Sequence, residues 1–254
     1  MKQQRLDAIE QYVQQKKSVT LDQLCADFHV SKNTVRRDID ALLSRGTLQK
    51  VYGGVTAVSP SEDFSRLLPF EDRHIANKEA KEEICRLAAS FVQNGDTIYI
   101  DTGTTCANIV SYISDKTCTI ITNSLHVCSL AVPYPNLQVI ALPGQLKRET
   151  LSFIGTTTVS YLNIYNIGKA FMACTGCSLE HGLTNASAEE YVIKKAVIEH
   201  SQKHFLLADH SKFGKYSLMT YCQMADLHTI VSDQPLQEDY AAYCRENGIS
   251  VLAP

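Results

Sequence analysis

The stretch VSKNTVRRDIDALLSRG, Val30 to Gly46, decides how the chain begins to fold. Val35, Ile39, Leu42 and Leu43 recur at i, i+4, i+7 and i+8, the apolar stripe of a helix that packs on a core. Asn33, Arg37 and Ser44 fall on the opposite face, with Arg36 on its flank. Ser31 is a good N-cap, and Gly46 supplies the C-cap. Lys32, Arg36 and Arg37 thus stand within two turns of one short helix, in a chain whose formal net charge is −3. Either an anion meets them or they only solvate the helix.

Outward from this stretch the pattern continues. Leu6, Ile9 and Val13, with Tyr12, lie at helical spacing in residues 2–15. Thr20 and Gln23 form a capping box that opens a second, shorter helix bearing Leu21, Leu24 and Phe28. His29-Val30 is the turn into the third helix. Beyond Gly46, TLQKVYGGVTAV alternates and reverses at Gly53-Gly54, as a β-hairpin does. Three short helices and a hairpin predict a winged helix-turn-helix over residues 1–58.

The second helix of such a motif enters the DNA major groove by its N-terminal end. Here that end carries Ser31, Lys32, Asn33 and Thr34, with Arg36 and Arg37 one turn on. Hydroxyl, amide and guanidinium groups are the chemistry of phosphate and base-edge contacts. Lys50 and Tyr52, beside Gly53 on the hairpin, can reach an adjacent phosphate. Against this, Arg36 and Asp40 stand at i, i+4 and can form a surface ion pair, and helical trios also dock proteins. The parts of the motif, in their order, favour double-stranded operator DNA as the partner.

Charge supports a division of labour. Up to Val58, nine Lys/Arg face six Asp/Glu, a balance of +3, while the remainder carries −6. With 254 residues, 44% apolar and 20% charged, the chain has room for a small and a larger domain and the composition of a globular protein. No apolar run approaches the ~18 residues needed to cross a bilayer, and MKQQRLDAIE is no signal peptide. A cytoplasmic protein without a membrane partner is expected. Of the nine cysteines, Cys85, Cys118 and Cys128 sit in apolar runs as small hydrophobes. Cys174 and Cys177 form a lone C-x-x-C with His181 behind, a weak signal for metal or redox chemistry. Neither a metal site nor a cofactor is expected.

Residues 59–73, with two prolines and mixed polarity, read as a linker to a domain over 74–254. A long amphipathic helix through Ala76, Ala80, Ile84, Leu87 and Phe91 should open it. Strand, turn and helix then alternate. TIYI leads to DTGTT and a helical CANIVSYI, TIIT to NS and LHVCSLAV, and LQVIAL to PGQ. KAFMAC, AEEYVIKKAVIEHS, HFLLAD, HTIVSD, EDYAAYCREN and ISVLA follow. Such alternation predicts an α/β domain on a mostly parallel sheet.

Three loops at strand ends are candidates to surround one crevice. DTGTT places Asp101, Gly103, Thr104 and Thr105 where N–H and hydroxyl groups can meet an anion at a helix N-terminus, although an ordinary strand-to-helix turn would look the same. Asn123 and Ser124 close a second strand, and Gly144 a third. HFLLAD delivers Asp209 as an acceptor, and Lys212 follows as a point charge for phosphate or carboxylate. Glu189 and Glu190 suit a helix start whether or not either touches a ligand. Lys147 and Arg148 read as solvated loop charges.

VSKNTVRRDIDALLSRG followed by KVYGGV resembles the signature of the DeoR family of bacterial transcriptional regulators. Arg36, Arg37 and Asp38 stand at the family's Arg-Arg-Asp positions and Gly53-Gly54 at its wing glycines. DTGTT, TNS, FIG, KAFMACTG, HGLT and LLADHSKFGK resemble the same family's sensor domain. The resemblance implies a ribose-5-phosphate isomerase-like fold and a phosphorylated sugar as effector. It places phosphate on Gly103, Thr104 and Thr105, and effector contacts on Asp101, Asn123, Asp209 and Lys212. Pro143-Gly144 departs from the common Gly-Gly, and Gly168 and Thr175 stand where acids are common, so the pocket is expected to read a different sugar. Within the family, the likeness runs to members governing inositol catabolism, which implies an inositol operon and a phosphorylated keto-sugar acid as inducer.

The expectation is a homo-oligomeric repressor, released from its operator by a phosphorylated sugar or sugar acid, and not an enzyme. The rival is a sugar-phosphate isomerase with a DNA-binding head, using Asp101, Glu190, Asp209 and Lys212 as acid–base groups.

Overall fold

The computed structural model describes residues 2–16, 18–44, 48–51, 54–57 and 70–254. They fall into two units, Met1–Asp63 and Phe64–Pro254. In the first, the order is α1 (Lys2–Lys16), β1 (Ser18–Thr20), α2 (Leu21–Asp27), α3 (Lys32–Ser44), β2 (Leu48–Val51) and β3 (Gly54–Ala57). The capping box is formed: Gln23 N–H donates to Thr20 Oγ1 at 3.2 Å, and Thr20 N–H to Gln23 Oε1 at 2.9 Å. Ser31 Oγ accepts from Thr34 N–H at 3.3 Å and so caps α3. Leu6, Ile9 and Val13 of α1 meet Leu24, Val35, Ile39 and Leu42 in one core, closed by Val19, Leu48 and Val55.

The wing is larger than a hairpin. β3 pairs antiparallel with both β2 and β1, giving the order β1-β3-β2. Three residues, Ser18–Thr20, are too short a run to announce a strand by pattern. Asp38, on the inner side of α3, is 1% exposed and accepts a fork from Arg5 of α1, at 2.7 Å to Nε and 3.3 Å to Nη2. The acid of the Arg-Arg-Asp run therefore faces α1 rather than solvent.

The second unit continues with α4 (Phe70–Ile75), α5 (Lys78–Ala89), β4 (Thr97–Ile100), α6 (Ile109–Tyr112), β5 (Cys118–Thr122), α7 (Leu125–Ala131) and β6 (Leu137–Ala141). A β7–β8 ribbon (Gln145–Lys147, Ser152–Ile154) and α8 (Thr156–Leu162) precede β9 (Ile167–Met172). After β10 (Gly176–Ser178) and β11 (Gly182–Asn185) come α9 (Ala188–Glu199), β12 (Ser201–Leu207) and β13 (Met219–Cys222). The chain ends with β14 (Thr229–Val231), α10 (Glu238–Glu246) and β15 (Ser250–Leu252). Seven strands form one parallel sheet in the order β15-β14-β12-β9-β4-β5-β6.

Successive residues of a strand face opposite sides, so the sheet feeds two cores. Ile98, Ile100, Ile120, Phe205 and Leu207 pack with Ile84 and Ala88 of α5 and Val127 of α7. Tyr99, Ile121, Leu206 and Ile230 pack with Leu162 of α8, Ile193 and Val197 of α9, and Tyr240 of α10. Helices thus cover both faces, as a parallel sheet requires. Strand order reverses between β4 and β9: the chain runs outward to β6, then returns to build the other half. Neighbouring loops diverge at such a point and leave a crevice at the strands' carboxyl ends.

Three expectations are corrected. The helix expected through Ala76 and Phe91 is the shorter α5, starting only at Lys78 and ending at Ala89, because Asn77 takes a left-handed conformation (φ 52°) that asparagine tolerates better than most residues. Residues 70–73, read as linker, are the start of α4, while 58–69 lie outside the described residues. The helix after DTGTT is only α6: residues 104–108 make successive turns, with Cys106 N–H bonded to Gly103 O at 3.0 Å. Consecutive threonines favour this, since branching at Cβ disfavours helix. DTGTT therefore does not sit at the N-terminus of an extended helix, and an anion there would gain loop N–H groups without a helix dipole.

Candidate functional site

Ser31, Lys32, Asn33, Arg36 and Arg37 are all exposed at the start of α3, and Thr34 is half-buried. Lys32 is paired with Asp22 of α2 at 2.6 Å, both well exposed, a contact that water and salt weaken. Val35, Ile39 and Leu42 hold the other side of the helix in the core, so its polar groups are presented together. Lys50 lies on β2. Tyr52, Gly53, Gly46 and the Lys50 side chain lie outside the described residues.

In the second unit the crevice at the reversal of strand order is a cavity of about 180 Å³. Gly103, Thr104 and Thr105 from the loop after β4 line it, with Cys174 and Thr175 after β9 and Asp209, Ser211 and Lys212 after β12. Arg73 of α4, Asn77, and Lys81 of α5 close it from the other side. The structure thus brings together five expected residues: Gly103, Thr104, Thr105, Asp209 and Lys212. Gly103 has no room for a side chain, since a Cβ would stand 2.3 Å from that of Ala173. Its need is packing against the end of β9 rather than approach to a ligand. The Gly103, Thr104 and Thr105 N–H groups donate to no protein acceptor among the described residues.

Cations surround a single acid here. Lys81 is 5% exposed, and its ammonium donates to the carbonyls of Arg73 and, at 2.7 Å, of Ala76, closing the last turn of α4. Burial lowers its pKa to about 8; Asp209 resists this, while Lys212 and Arg73 add to it. Arg73 is likewise lowered by burial, with Glu190 and Asp101 pulling the other way. Asp209 is fully buried, and its Oδ1 accepts from Asn77 Nδ2 and Ser211 N–H, each at 3.1 Å, and from Ser211 Oγ. Burial alone would raise its pKa, but Lys212, the Ser211 bonds and Lys81 outweigh that and hold it below the usual range. Its Oδ2 is buried without a hydrogen-bond partner.

Four residues expected at the ligand lie outside this cavity. Asp101 is 1% exposed, and its Oδ2 takes the Lys194 ammonium and, at 2.9 Å, Ala173 N–H. Lys194 also donates to Ala173 O at 2.8 Å. This pair ties the ends of β4 and β9 together and leaves Asp101 no face for a ligand. Burial disfavours the Lys194 ammonium, but Asp101 and Glu190 overcome that and raise its pKa. Asn123 is 3% exposed, with Oδ1 accepting from Tyr99 hydroxyl at 2.6 Å and Nδ2 donating to Phe153 O at 2.8 Å. Ser124 is spent as the cap of α7, accepting from Val127 N–H at 3.2 Å. At Gly144 a Cβ would stand 2.4 Å from Thr158 Oγ1 and 2.6 Å from Ile154 O, so tight packing explains the glycine. None of these four lines the cavity.

Glu190 lines a smaller inner chamber with Arg73, Thr175, Asn185 and Lys194. Glu189 points outward to Lys147 at 3.2 Å; that bond and one from Ser187 Oγ, the larger influence, bring its pKa down to about 2. All nine cysteines are free, and among the described residues no group of three or more His, Cys, Asp or Glu could hold a metal. No helix among them is long and apolar enough to cross a membrane.

Arg73, Asn77, Lys81, Asn185 and Lys194 were not singled out in the sequence. One signal was present for the lysines: Lys81 shares an i, i+3, i+7 stripe with Ile84 and Ala88, and Lys194 lies between Ile193 and Val197. A cation inside an apolar stripe asks for a buried partner.

A winged helix-turn-helix carried with a parallel-sheet unit whose crevice gathers cations defines a transcriptional regulator with a sensor domain. Residues 5–61 match the DeoR-like helix-turn-helix domain and residues 76–234 the DeoR C terminal sensor domain, so the chain belongs to the DeoR family of transcriptional regulators. It is similar to the HTH-type transcriptional regulator IolR of Bacillus subtilis, 44% identical over 99% of each chain. It is also similar to the HTH-type transcriptional repressor GlcR of the same organism, 28% identical over 98% of this chain and 95% of that one. Among solved structures, ribose 5-phosphate isomerase A of Methanocaldococcus jannaschii matches 55% of this chain and 56% of its own at 19% identity and a TM-score of 0.42.

Proposed function

We propose that the chain represses an operon of carbohydrate catabolism, that of myo-inositol, and leaves its operator when a phosphorylated sugar or sugar acid fills the crevice. One observation carries the sensing half: Lys81, Lys212 and Arg73 converge with unbonded loop N–H groups on one cavity, and burial already disfavours the charge on Lys81 and Arg73. An entering phosphate adds negative charge among these cations and takes the loop N–H groups. Asp209 beside it is an acceptor for a sugar hydroxyl.

The DNA-reading half rests on the exposed start of α3. Ser31, Asn33, Arg36 and Arg37 meet base edges and phosphates, with Lys32, Thr34, Lys50, Tyr52 and Gly53 on the flanking backbone. Two heads in one oligomer would supply the affinity that one small head lacks. The head is taken as residues 1–58, and the sensor as the unit from α4 (Phe70–Ile75) to residue 254, which includes Arg73. Release follows from linkage: the ligand must favour the form that holds DNA weakly, or it changes nothing. Control of an inositol operon rests on the sequence resemblance, and the 44% identity to IolR supports the same regulatory class.

Fluorescence anisotropy on DNA upstream of the chain's own gene tests this, with a salt series followed by sugar phosphates, including the keto-acid phosphate of inositol breakdown. Salt-sensitive binding reversed by one phosphate is expected, as is a Lys212→Ala chain that holds DNA but no longer releases it. Release of Lys212→Ala at the ordinary ligand concentration would remove Lys212 from the site. Sustained turnover of a sugar phosphate by the purified chain would replace sensing with catalysis.

A further inference from the structure

Past Gly103 and Cys174 the crevice continues into an inner chamber of about 30 Å³, room for one water molecule or one hydroxyl group. Asn185, at the end of β11, is 1% exposed in its wall. Its Nδ2 donates to Ser187 O at 2.7 Å, which fixes the orientation of the amide. The other atom, Oδ1, is buried and accepts from nothing. Glu190 is 8% exposed, and among the described residues no side-chain hydrogen bond or ion pair within 4.0 Å engages its carboxyl. One buried acceptor without a donor, Asn185 Oδ1, therefore shares a small space with the Glu190 carboxyl, beside the cations Lys194 and Arg73.

A buried acceptor without a donor is a standing penalty, relieved when a ligand brings a proton to share. The phosphoryl group of a phosphomonoester dianion has none to give, and a sugar hydroxyl does. We propose that Asn185 Oδ1, with Glu190 beside it, determines specificity by accepting from a hydroxyl group of the ligand, so that the site takes phosphorylated polyhydroxy compounds rather than any small phosphate. The inference rests on the crevice being the effector site. The phosphate stays in the outer cavity with Lys81, Lys212 and the loop N–H groups, and the hydroxylated part of the molecule enters the chamber. A ligand without that hydroxyl leaves Asn185 Oδ1 unpaired and binds about tenfold more weakly or worse.

Calorimetric titration of the full chain tests this, with inorganic phosphate and with ribose 5-phosphate, glucose 6-phosphate, fructose 6-phosphate and 6-phosphogluconate. At least one of the four should bind about tenfold or more tightly than inorganic phosphate. Asn185→Leu and Glu190→Met should each cut that advantage to about threefold or less, leaving the Kd for inorganic phosphate in place. Asn185→Leu also loses the Ser187 bond; Glu190→Met keeps the backbone bond from residue 190 to Ser187 Oγ and tests the chamber even if the first variant fails to fold. An advantage that survives both substitutions overturns the chamber's role and leaves the crevice intact as a phosphate site. A phosphate Kd that shifts in step with the sugar's makes both residues general supports and also overturns it. Failure of inorganic phosphate and all four compounds to bind the wild type overturns the crevice reading itself.

Discussion

Replacing Lys194 by methionine should cost the sensor unit about 3–5 kcal/mol, the usual result of breaking a buried ion pair from one side. The ammonium donates to Asp101 Oδ2 and Ala173 O and lies 5.1 Å from the centre of the Tyr221 ring. Methionine refills the path of the side chain, so little of the loss comes from a cavity. What remains is Asp101, 1% exposed, with the Ala173 N–H at 2.9 Å as its one hydrogen-bond donor among the described residues and Arg73 a more distant cation. Ala173 O keeps the Tyr221 hydroxyl at 2.9 Å, so the carbonyl is not the source of the penalty. Against a total stability of about 5–15 kcal/mol the loss is large. The double variant Lys194→Met/Asp101→Asn removes the stranded charge, and the asparagine can still accept from Ala173 N–H. It should recover at least half of the loss. Urea unfolding followed by far-ultraviolet circular dichroism reads both, provided the slope with denaturant is unchanged. A single variant within about 1 kcal/mol of wild type, or a double no more stable than the single, would refute an uncompensated Asp101 as the cause.

Arg37→Ala should weaken operator binding about tenfold, lower the salt slope by roughly one, and leave phosphate binding unchanged, all read by anisotropy and calorimetry. Because Lys81 loses its charge near pH 8, affinity for inorganic phosphate should fall as pH rises from about 7.5 to 9.5, and Lys81→Met should flatten the profile. Folding stability should move the other way: the unfolded lysine keeps its proton to higher pH than the folded one, so stability contributed at this position rises above about 8. Urea melts across the same range check the sign. Asp38→Ala frees Arg5 and should speed hydrogen exchange of α1 and α3 amides at least about thirtyfold, with the second unit unaffected.

The chain announces its regular parts plainly. TIYI is β4, the Thr20–Gln23 box caps α2, and HFLLAD ends β12, because alternation and capping are local properties. The small sheet β10-β11-β13 was not legible, since GCS and GLTN hold few of the branched and aromatic residues that mark strands. Nor was the break at Asn77, whose left-handed turn is supported by Lys81 and by an acid far along the chain, Asp209. Within the site, residues that face the cavity were found from the loop chemistry of Thr104, Thr105, Asp209 and Lys212. Asp101 and Asn123, which do not line the cavity, have the same polar character but spend it inward. What separates the two groups is a partner 93 residues away in sequence for Asp101 and 24 for Asn123, a distance no motif reports.

Lys81 invites a count of protons. An ammonium has three, and two are given to the carbonyls of Arg73 and Ala76, at the end of the helix that begins the second unit's described residues. The third is the one left for the crevice. A ligand oxygen that takes it need not pull the lysine from its helix; the same nitrogen would hold both. The ligand and the first helix after the stretch 58–69 then become partners around a single atom. Loss of that atom's charge would leave two protons, enough for the two carbonyls of the helix and none for the ligand.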